Sequence, residues 1–498
     1  MICIGMDTST AHGSMSAPNS ANVAPVALSR NASQPLAQQL AQRFAARIQQ
    51  RLLLPGARLP SVRDCARHHG VSPYTVVAAY DQLLAQGLLE ARKKRGFFVR
   101  ETRTPPSRAT VAHHDTHTVA PTPLPPPVDA SALIRGMFQA DARRSPGLGT
   151  LPAEWLDLGL LQSTLRRLAA NADDALLSGY GEPLGDERLR RALSRRLLDI
   201  AVQAAPDQIM STVGATHGLD LITRAFLEPG DAVLVDDPGW AIEYARLSQA
   251  GMRLLPVPRG AHGPDMAVMR RLIEEHRPRM YVTVSVLHNP TGATLDLAHA
   301  HQVLQLAHEH DLLIVEDDTY ALFAPNHAPR LAALDQLRRT IYVSGFSKML
   351  SPAWRVGFVA ASPDRMARLT DLKLLASLTT SPLMDRAVAL CLEQGLLRKH
   401  AERIAAQLVS ARQRCVRLAE DAGCRFAATP AGLFGWVDVG ADTERLAPVM
   451  MDQGWLIAPG ILFSPTRTPG TLMRINFATS QDPKFWQALE RAREALKR

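Results

Sequence analysis

Residues 341–359 read IYVSGFSKMLSPAWRVGFV, and this stretch places a lysine shortly after an apolar run that has the composition of a buried strand. Lys348 follows that run, and Arg355 comes seven positions later, before a second apolar run. An unpaired buried ammonium costs free energy, so a surface loop with a solvated lysine is one interpretation. The alternative is a lysine that loses its proton and bonds to a carbonyl cofactor.

Apolar runs of strand length recur between residues 131 and 498 and alternate with segments of helical spacing. This alternation predicts an α/β fold with parallel strands. Ligands of open α/β sheets bind at the carboxyl ends of the strands, so the residues after each run are the candidate site residues. The predicted strands are 232–235, 254–257, 280–286, 312–316, 340–343 and 356–360.

Side chains that suit one cofactor follow these runs in a fixed order. Taken singly, each has an ordinary interpretation as a turn, a solvated acid or a core residue, but their order favours a shared site. The candidates are Tyr180, Ala215, Thr216, Trp240, Asn289, Asp317, Tyr320, Ser347, Lys348, Arg355 and Arg474.

Pyridoxal phosphate is the cofactor whose ring these residues suit. Asp317 would keep the pyridine nitrogen protonated, so that the ring accepts electrons, while Asn289 and Tyr320 would hydrogen-bond the phenolic oxygen. Trp240 would place its indole against the ring. Lys348, the predicted catalytic residue, would bond covalently to the aldehyde.

The phosphate and the substrate need positive charge and N–H donors. Arg355, Ser347 and the backbone at residues 215–216, where a helix begins, would hold the phosphate. Arg474 offers a two-pronged guanidinium for a substrate carboxylate.

Most of the positive charge lies near the N-terminus. The formal net charge is +9, and residues 34–100 hold eleven Lys and Arg against three acids. A small basic module attached to a nearly neutral body suggests a polyanionic partner.

The basic module has the pattern of a helix-turn-helix with a wing. Ser61 and Ser72 predict the N-caps of two helices, and Gly70 predicts the end of the first. Two short strand-like runs then bracket RKKRG at 92–96, a basic hairpin that suits a phosphate backbone. A small helical domain with a solvated charge run is the alternative.

RLPS at 58–61, Arg63, and the dipeptides Thr-Val at 75–76 and Ala-Tyr at 79–80 resemble the winged helix of the GntR family. The resemblance implies binding to double-stranded DNA. The DNA contacts it implies are Arg63, Ser72, Tyr74, Thr75, Lys93, Lys94, Arg95 and Gly96.

The body, with NPTG at 289–292 followed by Asp317, Lys348 and Arg355, resembles a fold-type I aminotransferase of the class I/II group. The resemblance implies pyridoxal phosphate as cofactor. It also implies a homodimer with the cofactor at the subunit interface, where Tyr180 reaches the phosphate of the neighbouring subunit.

A winged helix joined to an aminotransferase-like body resembles the MocR subgroup of GntR regulators. The resemblance implies a transcriptional regulator that binds pyridoxal phosphate and an amino-acid or amine effector. Two alternatives stay open. One is a working transaminase with an accessory DNA-binding head, and the other is a cofactor sensor that binds no amino acid.

The predicted architecture is a small winged helix-turn-helix domain linked to a large α/β, aminotransferase-like domain. No signal peptide or membrane segment is expected, and five scattered cysteines favour a reducing, cytoplasmic setting without a metal site. The predicted boundaries are a disordered tail at 1–33, the winged helix at 34–100, a Pro-rich linker at 101–130 and the body at 131–498.

Overall fold

The computed structural model describes residues 34–49, 53, 56, 59–92, 96–100, 144–171 and 174–497. The predicted tail and linker, and Lys93, Lys94 and Arg95 of the predicted wing, lie outside the described residues. The described residues belong to two compact units that divide between residues 105 and 106. The exact domain boundaries stay predictions.

The described residues of the first unit form three helices and a two-stranded hairpin. Ser61 and Ser72 cap the second and third helices, as predicted, by accepting hydrogen bonds from the backbone N of Asp64 (3.2 Å) and of Thr75 (3.1 Å). The elements are α1 (Leu36–Gln49), α2 (Val62–His69), α3 (Pro73–Ala85), β1 (Leu89–Arg92) and β2 (Gly96–Val99).

The core of the first unit is built around Tyr80 of α3, which is fully buried. Its ring meets Phe44 of α1 edge-on at 5.7 Å, and its hydroxyl donates to the carbonyl oxygen of Pro60 at 3.0 Å. β1 and β2 pair antiparallel, with Leu89 opposite Val99. The winged-helix prediction is confirmed.

The second unit is an α/β structure with a smaller C-terminal sheet. Its helices are α4 (Leu158–Asn171), α5 (Asp174–Ser178), α6 (Glu187–Leu198), α7 (Ala215–Phe226), α8 (Ala241–Gln249), α9 (Met266–His276), α10 (Leu297–Glu309), α11 (Leu331–Asp335), α12 (Pro363–Ser377), α13 (Pro382–Glu393), α14 (Leu396–Asp421), α15 (Thr443–Asp452) and α16 (Pro483–Lys497). Its strands are β3 (Ile209–Val213), β4 (Ala232–Asp237), β5 (Arg253–Pro258), β6 (Met280–Thr283), β7 (Leu313–Asp317), β8 (Thr340–Gly345), β9 (Val356–Ala360), β10 (Arg425–Phe426), β11 (Phe434–Asp438), β12 (Ala458–Pro459) and β13 (Leu472–Asn476).

The large sheet of the described residues has seven strands in the order β3-β9-β8-β7-β6-β4-β5. Helices cover both of its faces, so successive residues of one strand enter different cores. Val233 and Val235 pack in a cluster with Leu219 of α7, whereas Leu234 packs with Ile273 of α9 and its neighbours. Burial on both faces explains why these strands read as continuous apolar runs.

The prediction of parallel strands is wrong at one side of the sheet. β9 runs antiparallel to both β8 and β3, whereas the pairs from β8 through β5 are parallel. The reason is the short connection from β8 to β9, because a parallel connection needs a longer crossover. β3 had no counterpart among the predicted strands, and β6 ends at Thr283 rather than at residue 286.

A four-stranded sheet in the order β10-β11-β13-β12 completes the described part of the second unit. β13 pairs antiparallel with β11, which sets Arg474 opposite Trp436. Met473 and Ile475 are fully buried beneath α15 and α16, and Arg474 between them belongs to the other face of the strand.

Candidate functional site

Lys348 lies in a tight turn that follows β8. The turn closes by a hydrogen bond from the backbone N of Leu350 to the carbonyl oxygen of Phe346 at 2.8 Å. Phe346, Met349 and Leu350 are almost fully buried in the core, so the turn is fixed on both sides of Lys348. The sequence pattern of 346–350 therefore anchors the lysine rigidly at the end of a central strand.

The side chain of Lys348 lies in a poorly solvated part of the site, close to positively charged side chains. Burial, with added repulsion from Arg474, lowers the pKa of Lys348 from 10.5 to about 8, although Asp317 acts in the opposite direction. Lys348 Nζ and the guanidinium of Arg474 both lie near Gly149. If this glycine carried a Cβ atom, that atom would be 3.7 Å from Lys348 Nζ and 3.7 Å from Arg474 Nη2. A lysine with this pKa is a far better nucleophile near neutral pH than a solvated one.

Asp317 is the last residue of β7, next to β8 in the sheet, and it is buried. Its Oδ1 accepts hydrogen bonds from the backbone N of Thr319 at 3.0 Å and from the Thr319 hydroxyl. Burial raises the pKa of Asp317 to about 6 in spite of these bonds. The carboxylate thus interacts electrostatically with Lys348, from the end of the adjacent strand. Its predicted pairing with a pyridine nitrogen stays a prediction.

Asn289, Tyr320 and Arg474 meet in the same buried region. Arg474 Nη1 donates to Asn289 Oδ1 at 2.8 Å, and Tyr320 interacts with both Asn289 and Arg474. Tyr320 is buried, and its ring packs edge-on against Phe434 of β11 at 5.4 Å. Desolvation raises the pKa of Tyr320, so its hydroxyl remains a donor at every physiological pH.

Arg474 is buried between two aromatic rings. Its guanidinium carbon lies 4.5 Å from the ring centre of Phe434 and 4.9 Å from that of Phe463. Burial lowers the pKa of Arg474 to about 10, which leaves it charged at neutral pH. Nε is buried and has no hydrogen-bond partner among the described residues, so this group has a donor left for an anion.

Residues 144–150, named the strap here, lie along β13 and close one side of this region. Arg474 Nη2 donates to the carbonyl oxygen of Gly147 at 2.6 Å, and Asn476 Nδ2 donates to those of Leu148 and Thr150 at 2.9 and 2.8 Å. The strap was not predicted, because its hydrogen bonds join positions more than 300 residues apart. The glycines at 147 and 149 were the signal available, since close backbone approach favours glycine.

Arg355, Ser347 and the start of α7 come together at the other end of the site. Arg355 Nη1 donates to Ser347 Oγ at 3.3 Å, and Nη2 donates to the carbonyl oxygen of Val213 at 3.0 Å. Gly214, the N-cap of α7, has φ of +74°, and a Cβ there would lie 2.5 Å from Arg355 Nη2. Glycine lets the guanidinium approach the helix start, where Ala215 and Thr216 present N–H groups suited to a phosphate.

Trp240 and Tyr180 are the two predicted site residues that, among the described residues, make no side-chain hydrogen bond or ring contact with this cluster. Trp240 caps α8 directly after the turn that follows β4 and is partly buried. Tyr180 is 87% exposed. Its predicted contact is with a neighbouring subunit, and that contact remains a prediction.

The exposed side of the helix-turn-helix carries the predicted DNA contacts that the structure describes. Arg63 of α2 and Ser72 and Tyr74 of α3 are exposed, and Thr75 is partly buried beside Ser72. Gly96 begins β2 with φ of +103°, a backbone conformation that glycine accommodates. Arg92, which precedes the basic run of the wing, stacks its guanidinium 4.6 Å from the ring centre of Phe98.

Residues 153–491 match the family described as aminotransferase class I and II. The chain belongs to the aminotransferase class I and II family. Residues 36–99 match a second family, described as bacterial regulatory proteins of the gntR family. The predicted combination of a GntR head with an aminotransferase-like body is therefore confirmed. Membership of the aminotransferase class I and II family implies pyridoxal phosphate as cofactor.

Two relatives of this aminotransferase-family chain match it over most of their length. The "Uncharacterized HTH-type transcriptional regulator YdcR" of Escherichia coli is 29% identical over 472 residues, which cover 92% of this chain and 97% of YdcR. The "Probable rhizopine catabolism regulatory protein MocR" of Rhizobium meliloti is 29% identical over 394 residues, or 76% of each chain. Both are named as regulators rather than as enzymes.

A solved structure similar to the aminotransferase-family part is LysN, an alpha-aminoadipate aminotransferase from Thermus thermophilus. It is 25% identical, with a TM-score of 0.67, over 73% of this chain and 95% of LysN. That enzyme was solved with N-(5'-phosphopyridoxyl)-L-leucine. In the part of this chain that the structure describes, no helix has the length and apolar character needed to cross a membrane.

Proposed function

We propose that this chain is a DNA-binding transcriptional regulator whose aminotransferase-like unit binds pyridoxal phosphate and an amino-acid or amine effector. The observation that carries the proposal is the shared site of Lys348, Asp317 and Arg474 in a chain that also has a GntR head. Relatives that match nearly the whole chain and are named as regulators support the regulatory part.

The residues at both ends of the site fit the cofactor. A phosphate would accept hydrogen bonds from the N–H groups at the start of α7, from Arg355 and from Ser347. The missing Cβ of Gly214 leaves the room in which the Arg355 guanidinium lies. A protonated pyridine nitrogen would offset the cost of burying the Asp317 carboxylate, whose pKa is raised to about 6.

When bound, pyridoxal phosphate supplies an aldehyde that condenses with primary amines and a ring that withdraws electrons. Lys348 would hold the cofactor covalently, because a pKa of about 8 leaves about a tenth of its amine unprotonated at pH 7. Arg474 would bind the effector's carboxylate with its free Nε, while the rings of Phe434 and Phe463 exclude water from the ion pair.

We also propose that the protein works as a homodimer in the cytoplasm. Tyr180 is 87% exposed, and the neighbouring Gly181 packs against Thr380, where a Cβ would lie 3.2 Å from the Thr380 carbonyl oxygen. Leu378, close by in the chain, is 53% exposed. Apolar side chains exposed together support an interface, and a second copy would bring Tyr180 to its predicted partner.

The test measures the affinity of the full chain, loaded with pyridoxal phosphate, for its operator DNA. The affinity is measured in the presence of each member of a panel of amino acids, and of each amine that forms when one of those amino acids is decarboxylated. The operator is first selected from a random duplex library. We expect at least one amine to change the affinity for DNA, and Lys348→Ala to abolish that response while the variant still binds DNA. DNA affinity that is indifferent to the cofactor and to every amine would refute the regulatory proposal.

A catalytic aminotransferase is the second candidate, and the position of Arg474 beside Lys348 favours it. An amino acid whose carboxylate is bound by Arg474 would present its amino group to the cofactor site. The same panel, incubated with a 2-oxo acid as acceptor, distinguishes the two functions. Rapid, repeated formation of the 2-oxo acid from one amino acid, without any change in DNA affinity, would favour the enzyme.

A further inference from the structure

The outer face of α3 is apolar where it would meet DNA. In a helix-turn-helix, the N-terminal residues of the second helix contact base edges in the major groove. At this end of α3, Tyr74 is 82% exposed and Val77 is 40% exposed, three residues apart on one side of the helix. Apolar side chains that are exposed side by side are a feature of interaction surfaces.

The same end of α3 offers few free groups for reading base edges by hydrogen bonds. Ser72 Oγ accepts from the backbone N of Thr75 at 3.1 Å and lies 2.8 Å from Thr75 Oγ1, so the two hydroxyls are engaged with each other. The sequence of α3, PYTVVAAYDQLLA, contains no Lys, Arg or Asn, and its first amide is Gln82 in the third turn. The commonest readout of guanine uses the donors of Arg or Lys, which this helix does not supply.

The positive charge lies on other elements. Arg63 and Arg67 belong to α2 and are exposed, and the basic run of the wing precedes Gly96. Contacts from such residues to phosphates position a protein on DNA without reading its sequence. In this module, therefore, the exposed element that would face the bases is apolar and its surroundings are basic.

We propose that α3 recognises the C5-methyl groups of thymine through Val77 and the ring of Tyr74, so that operator choice depends on thymine methyls rather than on guanine acceptors. The major groove presents this methyl only at thymine, and apolar side chains contact it. The inference rests on the proposed DNA binding and adds to it the chemical feature that is read.

The experiment uses the full chain with pyridoxal phosphate and a duplex selected from a random library. Each thymine of the selected site is replaced singly by uracil, which removes only the methyl group. Each guanine is replaced by 7-deazaguanine, which removes the N7 acceptor. At one or two positions of each half-site we expect uracil to weaken binding roughly fourfold, the effect of one buried methyl group.

Four protein variants connect this loss with α3. Val77→Ala should weaken binding to the thymine duplex and remove the sensitivity to uracil at one position, whereas Gln82→Ala, a change at an exposed residue further along α3, should leave that sensitivity intact. Tyr74→Phe keeps the ring and should bind like the original protein, and Tyr74→Ala should not. At a sensitive position changed to a C·G pair, 5-methylcytosine should bind more tightly than cytosine, because it restores the methyl group.

A selected site that tolerates uracil everywhere and loses binding with 7-deazaguanine would overturn the inference while leaving the proposed DNA binding in place. Equal sensitivity to uracil in the original protein and in Val77→Ala would do the same. Failure to select or bind any duplex would refute both the inference and the proposed function.

Discussion

Two lysines of the second unit have nearly the same acidity and opposite surroundings. Burial lowers the pKa of Lys348 to about 8, and burial lowers the pKa of Lys373 to about 8 as well. Lys373 is fully buried in α12, donates to the carbonyl oxygen of Ser211 at 2.9 Å and is attracted by Asp385. Lys348 is partly exposed to the site, and its strongest charged neighbour is the cation of Arg474.

The different surroundings of Lys348 and Lys373 show that a lowered pKa alone does not mark a reactive lysine. Asp385 is itself held by Ser211 Oγ at 2.7 Å and by Thr380 Oγ1 at 2.8 Å, so Lys373 belongs to a satisfied buried network. Lys348 lies next to a cation and to a glycine that leaves space around its amine. Partners and access, rather than proton affinity, separate structural from chemical use.

The largest expected effect separates the two lysines by their chemistry. Lys348→Ala should abolish the covalent adduct that borohydride reduction fixes between pyridoxal phosphate and the protein, because it removes the amine that faces Asp317 and Arg474 in the site. Lys373→Met should retain the adduct. Mass spectrometry of the reduced and digested protein locates the adduct. An adduct on Lys373 would contradict the distinction between a reactive Lys348 and a structural Lys373.

The second prediction concerns stability around Lys373. Asp385→Ala should lower the free energy of unfolding by about 3–5 kcal/mol, because it removes a buried carboxylate that attracts the Lys373 ammonium and accepts hydrogen bonds from Ser211 and Thr380. Denaturation in urea measures the loss. Adding Lys373→Met should recover part of that stability, and a double variant no more stable than Asp385→Ala would show that the two groups are not coupled.

The third prediction concerns the cation beside Lys348. Arg474→Met should weaken binding of an amino-acid effector by about 2 kcal/mol or more, or roughly thirtyfold, since a desolvated carboxylate loses its partner. Affinity for the amine that lacks the carboxylate should change little. Titration followed by the cofactor's absorbance compares the two ligands, and equal losses for both would remove Arg474 from carboxylate binding.

The smallest effect is a dependence on pH. The unprotonated amine is the nucleophile, so attachment of pyridoxal phosphate to the cofactor-free protein should accelerate about tenfold per pH unit below 8 and level off above it. Arg474→Met should move this midpoint upward, because repulsion from Arg474 contributes to the lowered pKa of Lys348. Stopped-flow absorbance gives the rates. In Lys373→Met the midpoint should not move.

Local chemistry made much of the fold and site predictable from the sequence. Ser61 and Ser72 have side-chain oxygens that cap helices wherever the following residues are helical, and both caps were predicted correctly. Asp317 and Lys348 were expected together because neighbouring strands end at one edge of a sheet, and β7 and β8 are indeed neighbours.

Contacts between distant parts of the chain were not predictable in this way. The pairing of β9 with β3, about 150 residues earlier in the chain, is not specified by any local pattern. The partners of Lys373 and the contacts of the strap join segments that are far apart in the sequence, and the glycines at 147 and 149 are the one local signal of these contacts. These contacts can be recognised only in the tertiary structure, because their partners lie far apart in the sequence.

The hydrogen bond from Arg474 to Gly147 has a thermodynamic consequence for any carboxylate that binds there. In chain order, the strap is the first described segment of the second unit. A carboxylate that takes both Nε and Nη2 of Arg474 competes with the Gly147 carbonyl oxygen for the same guanidinium. By reciprocity, any influence that draws the strap away from β13 tightens ligand binding by the same factor by which the ligand loosens the strap.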